Sequence, residues 1–282
     1  MAGPEISVVT VTHDRLAVMR RKVDSMLRQT LRPERFEWII RVNGCTDGTL
    51  EVLQALDLPF RMRLDVTSSQ ESPAMARNAC ARLAQGRFLY LSDDDCLLEP
   101  HTLARHLRAQ EHREAVFVGG IVFDDGASTI LQQPGRARYW HLNGANTSLP
   151  QNAFQAVGGF DEDLMGYGGE DVLLGYRLRR HGLAFLALPQ ALVRHLGPDP
   201  LRSLNEAKGR SAGANAVRIA ARVPALALRL GVHPALLSLK RLMLNDLTAR
   251  IFAQARYRYE RAYLEGALEE RRHDRQPHDS RV

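Results

Sequence analysis

Cysteine is scarce in this chain. Three residues in 282, Cys45, Cys80 and Cys96, stand in no metal-type spacing and cannot all pair, so neither a disulfide framework nor a thiolate zinc site organises the fold, and a reducing compartment suits it. No uninterrupted apolar stretch approaches the ~18 residues of a membrane span. The opening segment MAGPEISVVTVTHD lacks the basic-then-apolar order of an export signal, so the expectation is a cytoplasmic protein. There is no GxGxxG after the first apolar run, which argues against an ordinary dinucleotide site.

What is present is an ordinary globular composition, 45% hydrophobic and 25% charged, long enough for one large α/β domain with an appendage or two small domains. The net charge of +6 is unevenly placed: from Asn205 to Arg272 there are thirteen Lys or Arg against six Asp or Glu, so the basic excess belongs to the C-terminal region. Nucleic-acid binders mix basic residues with aromatics along one face. Here the densest polar cluster is acidic, and no nucleic-acid partner is expected.

The run Ile6 to Thr12 is β-branched and reads as a buried parallel strand. Leu16, Met19, Val23, Met26 and Leu27 follow at helical spacing. Glu37 to Val42 predicts a second strand, closed by the turn-rich Asn43-Gly44-Cys45-Thr46-Asp47-Gly48 and a helix from Thr49 to Leu56. A short strand is expected at Arg61 to Val66, and a helix opened by Pro73 runs to Ala84. The strand Arg87 to Leu91 comes next, then Asp93, Asp94 and Asp95. The alternation of strands and helices with short connections predicts a doubly wound, mostly parallel sheet with helices on both faces, its ligand crevice at the C-terminal strand ends.

Three adjacent carboxylates repel one another. In an extended segment residues i and i+2 point the same way, so Asp93 and Asp95 can face one hard divalent cation, which offsets the repulsion. Beyond Pro100 the expectations are a helix (Thr102 to Gln110), a strand (Ala115 to Gly120), a polar turn-rich loop (Asp124 to Arg138) and a helix (Gln151 to Val157). A block dense in glycine surrounds that last helix, from Asn143-Gly144-Ala145-Asn146 through Gly158-Gly159 to Gly166-Tyr167-Gly168-Gly169-Glu170-Asp171. Glu170 and Asp171 open another helix, where the macrodipole favours charged carboxylates.

SVVTVTHDR, VNGCTDGT, ARNACARLAQGRFLYLSDDD and VGGFDEDLMGYGGEDVLLGYRLRRHG together resemble, in order and spacing, the family 2 glycosyltransferases of GT-A fold, over roughly Ile6 to His195. The resemblance implies a catalytic domain over residues 1–200, its first hundred residues holding the nucleotide-sugar and the rest the acceptor. A helical region would span 201–270, with a disordered tail at 271–282. It implies Mn2+ or Mg2+ held by Asp93 and Asp95, with His195 as a further ligand. Thr12, Asp14, Arg15, Asn43, Arg77, Asp93 and Asp94 are implied at the donor nucleotide, and Trp140, Asn146 and Tyr167 at donor or acceptor sugar. Asp171 is the implied general base, with Glu170 binding acceptor or substituting for it.

Two departures bear on the donor. A UDP-sugar is the donor the resemblance implies, but Val42 stands where family members commonly carry an Asp that accepts a hydrogen bond from uracil, and the aromatic residue often found at His13 is missing, so the firmer expectation is a nucleoside-diphosphate sugar in general. The competing readings are a nucleotidyltransferase acting on sugar phosphates, which would want glycines in THDRLAVMRRK, and a non-catalytic sugar-nucleotide binding protein, which would want a broken metal or base motif.

The C-terminal helical patterns, Ala214 to Val223 and Ala235 to Leu268, are broken by Pro224 and Pro234. Leu236, Leu239, Leu242, Met243, Leu247, Ile251 and Phe252 form an apolar stripe among basic residues, suited to packing on the catalytic domain, to a homodimer, or to peripheral contact with an anionic membrane on its inner face.

Overall fold

The computed structural model describes residues 3–129, 136–197, 205–244 and 254–273. Outside them lie 130–135 of the expected loop, the domain boundary expected at 200, Leu247, Ile251 and Phe252 of the expected apolar stripe, and 274–282 of the expected tail. The chain divides into two compact units, Met1–Glu162 with Asp171–Asp199, and Asp163–Glu170 with Pro200–Val282.

In the first unit β1 (Ile6–Thr12) lies between β2 (Phe36–Asn43) and β4 (Phe88–Leu91), all parallel, and β3 (Arg61–Thr67) extends the same sheet beyond β2. The register pairs Val8 with both Trp38 and Tyr90. Side chains alternate across the strands, so Val8, Trp38 and Tyr90 join one apolar layer while Val9, Ile39 and Leu91 join the other. Helix α1 (Leu16–Leu27) covers the first layer with Met19, Val23 and Met26, while α2 (Thr49–Gln54) adds Leu53. Helix α3 (Pro73–Leu83) covers the second with Ala74, Cys80 and Ala81. The start of α3 is set locally: Pro73 occupies its first turn and the Ser72 hydroxyl accepts from the Met75 N–H at 3.3 Å.

Beyond β4 the mostly parallel sheet expected from sequence takes in antiparallel strands, and two short ones were not in the sequence reading. Cys96–Leu98 forms β5, and Thr147–Pro150, expected only as part of a glycine-rich block, forms β7 within the sheet. With α4 (Thr102–His112), β6 (Val116–Phe123), α5 (Gln151–Ala156), α6 (Glu170–Arg180) and β8 (Phe185–His195) in place, the strand order is β3-β2-β1-β4-β7-β6-β8-β5. β7 runs antiparallel to both β4 and β6, β8 parallel to β6, and β5 antiparallel to β8. The short β7 has too few residues for its alternation to register as a strand, and its four residues are all buried.

The second unit is helical. α7 (Glu206–Arg222) packs on α9 (Gln254–His273), with α8 (Pro234–Met243) adding Leu237 to a small core that includes Val217, Val232 and Leu264. The helices approach so closely that a Cβ on Gly213 would sit 2.0 Å from the Tyr263 carbonyl oxygen. α9 continues to His273, into the stretch expected to be a disordered tail. No helix among the described residues is long and apolar enough to cross a membrane.

Candidate active site

The aspartate triplet leaves β4 as a turn, with the Cys96 N–H donating to the Asp93 carbonyl at 3.2 Å. Each acid meets a basic group. Arg77, projecting from α3, donates to Asp93 Oδ1 at 2.7 Å. Arg15, at the head of α1, donates from one nitrogen to Asp94 Oδ1 at 2.9 Å and Asp95 Oδ2 at 2.8 Å. His195, the last residue of β8, holds Nε2 3.6 Å from Asp95 Oδ1.

The last contact is a product of strand pairing. Cys96 lies opposite His195 in the β5–β8 ladder, and the Leu196 N–H donates to the Asp95 carbonyl at 2.8 Å. The Arg77 guanidinium passes close to Gly144, where a Cβ would stand 2.4 Å from it.

The electrostatics follow from burial and these partners. Burial pushes the Asp94 carboxyl up to about 6 against the pull of Arg15. Asp93 is also raised by the packing around it, but the charge and hydrogen bond of Arg77 more than offset this and hold it below the usual carboxylate range. Arg15 is held more firmly protonated, chiefly by the charge of Asp94. The buried Cys96 thiol is pushed well above its ordinary value by burial.

The cation-binding chemistry can be tested on the residues themselves. The Asp95 and His195 ligand atoms, with Cys96 Sγ, lie within 4.8 Å of one another. The Nδ1 of His195 is buried with no hydrogen-bond partner among the described residues. The Asp95 carboxylate and an imidazole at the end of a sheet, with Asp93 two residues before Asp95, offer the oxygen and nitrogen donors that Mg2+ or Mn2+ accepts, so the residues present fit a divalent cation.

The remaining expected residues fall in different places. Thr12 is buried at the end of β1. Asn43 is buried at the end of β2, with both side-chain atoms bonded to the backbone of Glu71 at 3.1 and 2.9 Å. Asp14 is exposed in a left-handed conformation (φ +47°), its carboxylate accepting from the Thr46 N–H at 2.6 Å, which ties two loops together. Trp140 packs edge-on against Tyr139 with the Arg138 guanidinium over its ring.

Asn146 corrects the sequence reading. It is fully buried between strands; its oxygen accepts from the Tyr90 hydroxyl at 2.8 Å and faces His106 Nε2 at 2.9 Å, while its nitrogen donates to the Gly120 and Ala191 carbonyls. A saturated interior amide holds the sheet together and has no polar atom left for a sugar. Glu170 and Asp171 open α6 as expected. Tyr167 belongs to the second unit, its N–H donating to Ser211 Oγ at 2.8 Å and its ring lying under Lys208.

Sequence reasoning missed Lys22. It lies on the buried stripe of α1 among Met19, Val23 and Met26, with no exposed surface. Its ammonium donates to Ser92 Oγ at 2.5 Å, the Asp93 carbonyl at 2.9 Å and the Cys96 carbonyl at 2.5 Å. Burial lowers it to about 8, with neighbouring acids pulling the other way. The available signal was a lysine at an apolar position of the helical repeat.

Residues 7–167 match the family described as glycosyl transferase family 2. A validoxylamine A glucosyltransferase of Streptomyces hygroscopicus subsp. limoneus is 30% identical over 228 residues, covering 64% of this chain and 49% of that protein, so the chain spans about half the length of that relative. Among solved structures, a mannosyltransferase from Pyrobaculum calidifontis in complex with GDP-Man and Mn2+ is 17% identical with a TM-score of 0.63, covering 98% of this chain and 89% of that one. Residues 1-349 of S. aureus TarS in complex with UDP-GlcNAc give 13% identity and a TM-score of 0.63, covering 95% and 92%. At these identities the structural likeness speaks to the fold alone.

Proposed function

The chain belongs to glycosyl transferase family 2, and from that premise we propose that it moves a sugar from a nucleoside-diphosphate sugar to an acceptor hydroxyl, with inversion at the anomeric carbon. The observation that carries this reading is the convergence of Arg15, Arg77 and His195 on Asp93, Asp94 and Asp95. A diphosphate carries oxygens that suit guanidinium donors and a divalent cation together, and this cluster offers both.

Asp93, Asp95 and His195 would hold Mn2+ or Mg2+, which when bound offsets the charge that grows on a departing diphosphate. The chain's own groups do the rest. Arg77 and Arg15 orient the diphosphate by hydrogen bonds to its oxygens. Asp171, in the first turn of α6, takes the proton from the acceptor hydroxyl as it attacks from the face opposite the leaving group. Glu170 beside it binds the acceptor or substitutes as base. The bound nucleotides named for the solved relatives, UDP-GlcNAc and GDP-Man, make both bases worth testing here.

The second unit supports a docking role. Leu228, Leu239, Leu242 and Met243 are exposed in and before α8, with Leu242 at 74%. Arg229 and Arg241 lie in the same stretch, and the region carries the chain's basic excess. Apolar side chains flanked by arginines match an anionic bilayer surface, where the acceptor would be presented.

The deciding experiment incubates the protein with UDP-glucose, UDP-GlcNAc or GDP-mannose and Mn2+, and follows nucleoside diphosphate release and the anomeric proton of the product by NMR. Slow nucleoside diphosphate release with each metal-bound donor, and an inverted product with acceptor, are expected. Pyrophosphate formation from a nucleoside triphosphate and a sugar phosphate would instead identify a nucleotidyltransferase, and binding without turnover a non-catalytic protein.

A further inference from the structure

An ammonium group has three donors, and Lys22 places all three inside the aspartate turn: on Ser92 at its entry, on the Asp93 carbonyl within it and on the Cys96 carbonyl at its exit. We infer that Lys22 is a positioning residue for the candidate active site, a tie from helix α1 that closes the Ser92 to Cys96 turn from below and sets the directions in which Asp93 and Asp95 leave it. The consequence for donor binding rests on the nucleoside-diphosphate-sugar reading above.

Stability alone does not account for a lysine here. Its neighbours on the buried stripe are Met19, Val23 and Met26, and a methionine would fill the same space without desolvating a charge, a cost of several kcal/mol per ion even in relaxed proteins. Breaks in local patterning of this kind are expected where function requires them.

The turn also explains what the charge holds. The Asp93 carbonyl accepts from both Lys22 and the Cys96 N–H, and the Asp95 carbonyl accepts from the Leu196 N–H, so the backbone between Ser92 and Cys96 is pinned at both ends while its carboxylates point away to Arg77, Arg15 and His195. Without the ammonium, the Cys96 carbonyl would lose the donor it has here and the Ser92 hydroxyl and Asp93 carbonyl would each lose one partner in an apolar interior, so the turn would open to reach water. Opening it swings Asp93 and Asp95 out of register with each other, and a donor bound through both loses its fit.

The test compares wild type with Lys22→Met, which keeps an unbranched side chain one atom shorter and removes the donors, and with Ser92→Ala, which removes one acceptor and leaves the ammonium. Titration calorimetry of the full chain with UDP and with GDP in Mn2+ reads affinity and site number separately. A merely destabilised variant loses sites, whereas a misdirected turn loses affinity at the sites that remain. Lys22→Met is expected to weaken the better-bound nucleotide by about 10–100-fold, the range of outer-shell changes at metal sites, with Ser92→Ala weakened less. Wild-type affinity in both variants overturns the inference, and if Lys22→Met does not fold, Ser92→Ala decides alone. Amide exchange of Cys96 and Leu196, measured against Val8 and Trp38, judges the turn even if wild type binds neither nucleotide and the donor reading falls. Local acceleration confined to the turn in the variants is expected, and unchanged or uniform exchange overturns the tie.

Discussion

Asp95 and His195 meet at 3.6 Å, Oδ1 to Nε2, because the residue after Asp95 pairs with His195 across two antiparallel strands. A backbone ladder therefore fixes the separation of two side chains a hundred residues apart in sequence. That rigidity suits a shared cation better than two side chains on independent loops. Asp95→Ala is expected to abolish turnover and metal-dependent nucleotide binding while leaving the circular dichroism of the fold unchanged. His195→Ala is expected to weaken Mn2+-dependent UDP or GDP binding by about tenfold or more. Undiminished sugar transfer by EDTA-treated protein would remove the metal from the account.

Arg77 tests the diphosphate separately from the base. Its hydrogen bond to Asp93 places a planar, multi-donor guanidinium at the aspartate turn. Arg77→Leu should weaken a nucleoside diphosphate by about tenfold or more and the corresponding monophosphate much less, charge-assisted hydrogen bonds being worth roughly 1.5–3 kcal/mol each. Equal losses for both nucleotides would assign Arg77 to the base or ribose.

A general base acts on the acceptor in the transition state, so Asp171→Asn should lower kcat by on the order of 10²–10⁴ with little change in donor affinity. A fully active Asp171→Asn beside a dead Glu170→Gln would shift the base by one residue. Retention at the product's anomeric carbon would end the single-displacement mechanism.

The interior predicts acid sensitivity apart from the site. His106 is fully buried between Ser148 and Asn146, and burial lowers it to about 4, against an ordinary value of 6.5. Because the folded value is depressed, the unfolded chain binds the proton first; the contribution is fully present above about 6.5 and is lost as pH falls toward 4. Urea unfolding of wild type and His106→Gln at pH 7.5 and 4.5 isolates this group from Asp94, whose raised value acts in the opposite direction over the same window. The stability advantage of wild type should shrink by on the order of 1–3 kcal/mol at the lower pH. A pH-independent difference would mean that His106 is protonated in the fold.

For the second unit, cosedimentation with phosphatidylglycerol vesicles should be strong at 50 mM salt and weak at 500 mM, since the Debye length falls from roughly 14 to 4 Å across that range. Leu239→Ser with Leu242→Ser should reduce it at both. No cosedimentation at low salt would leave packing or dimerisation as the role of these side chains.

Much of this was legible in sequence because the signals are local. The β-branched run from Ile6, the Ser72-Pro73 start of α3 and the aspartates after Phe88 to Leu91 each declare themselves within a few residues, through side-chain alternation, capping chemistry and like charges in a row. Arg15 and Arg77 were expected at the site through the family resemblance, and both lie against the aspartate turn.

Tertiary structure decided the rest. β7 is four residues long and β5 three, too short for any period, and they became strands because β4, β6 and β8 offered unpaired edges. Those pairings put His195 beside Asp95 and drew Asn146 from an expected sugar contact into the core. Lys22 looks like one more charged residue of a basic helix until α1 packs on the sheet and its ammonium comes to lie under the aspartate turn. Burial is a property of the packed chain: an amide or an ammonium group carries the same sequence signature in solvent and in the interior, and its role changes once water is gone and only the neighbouring protein can satisfy its hydrogen bonds.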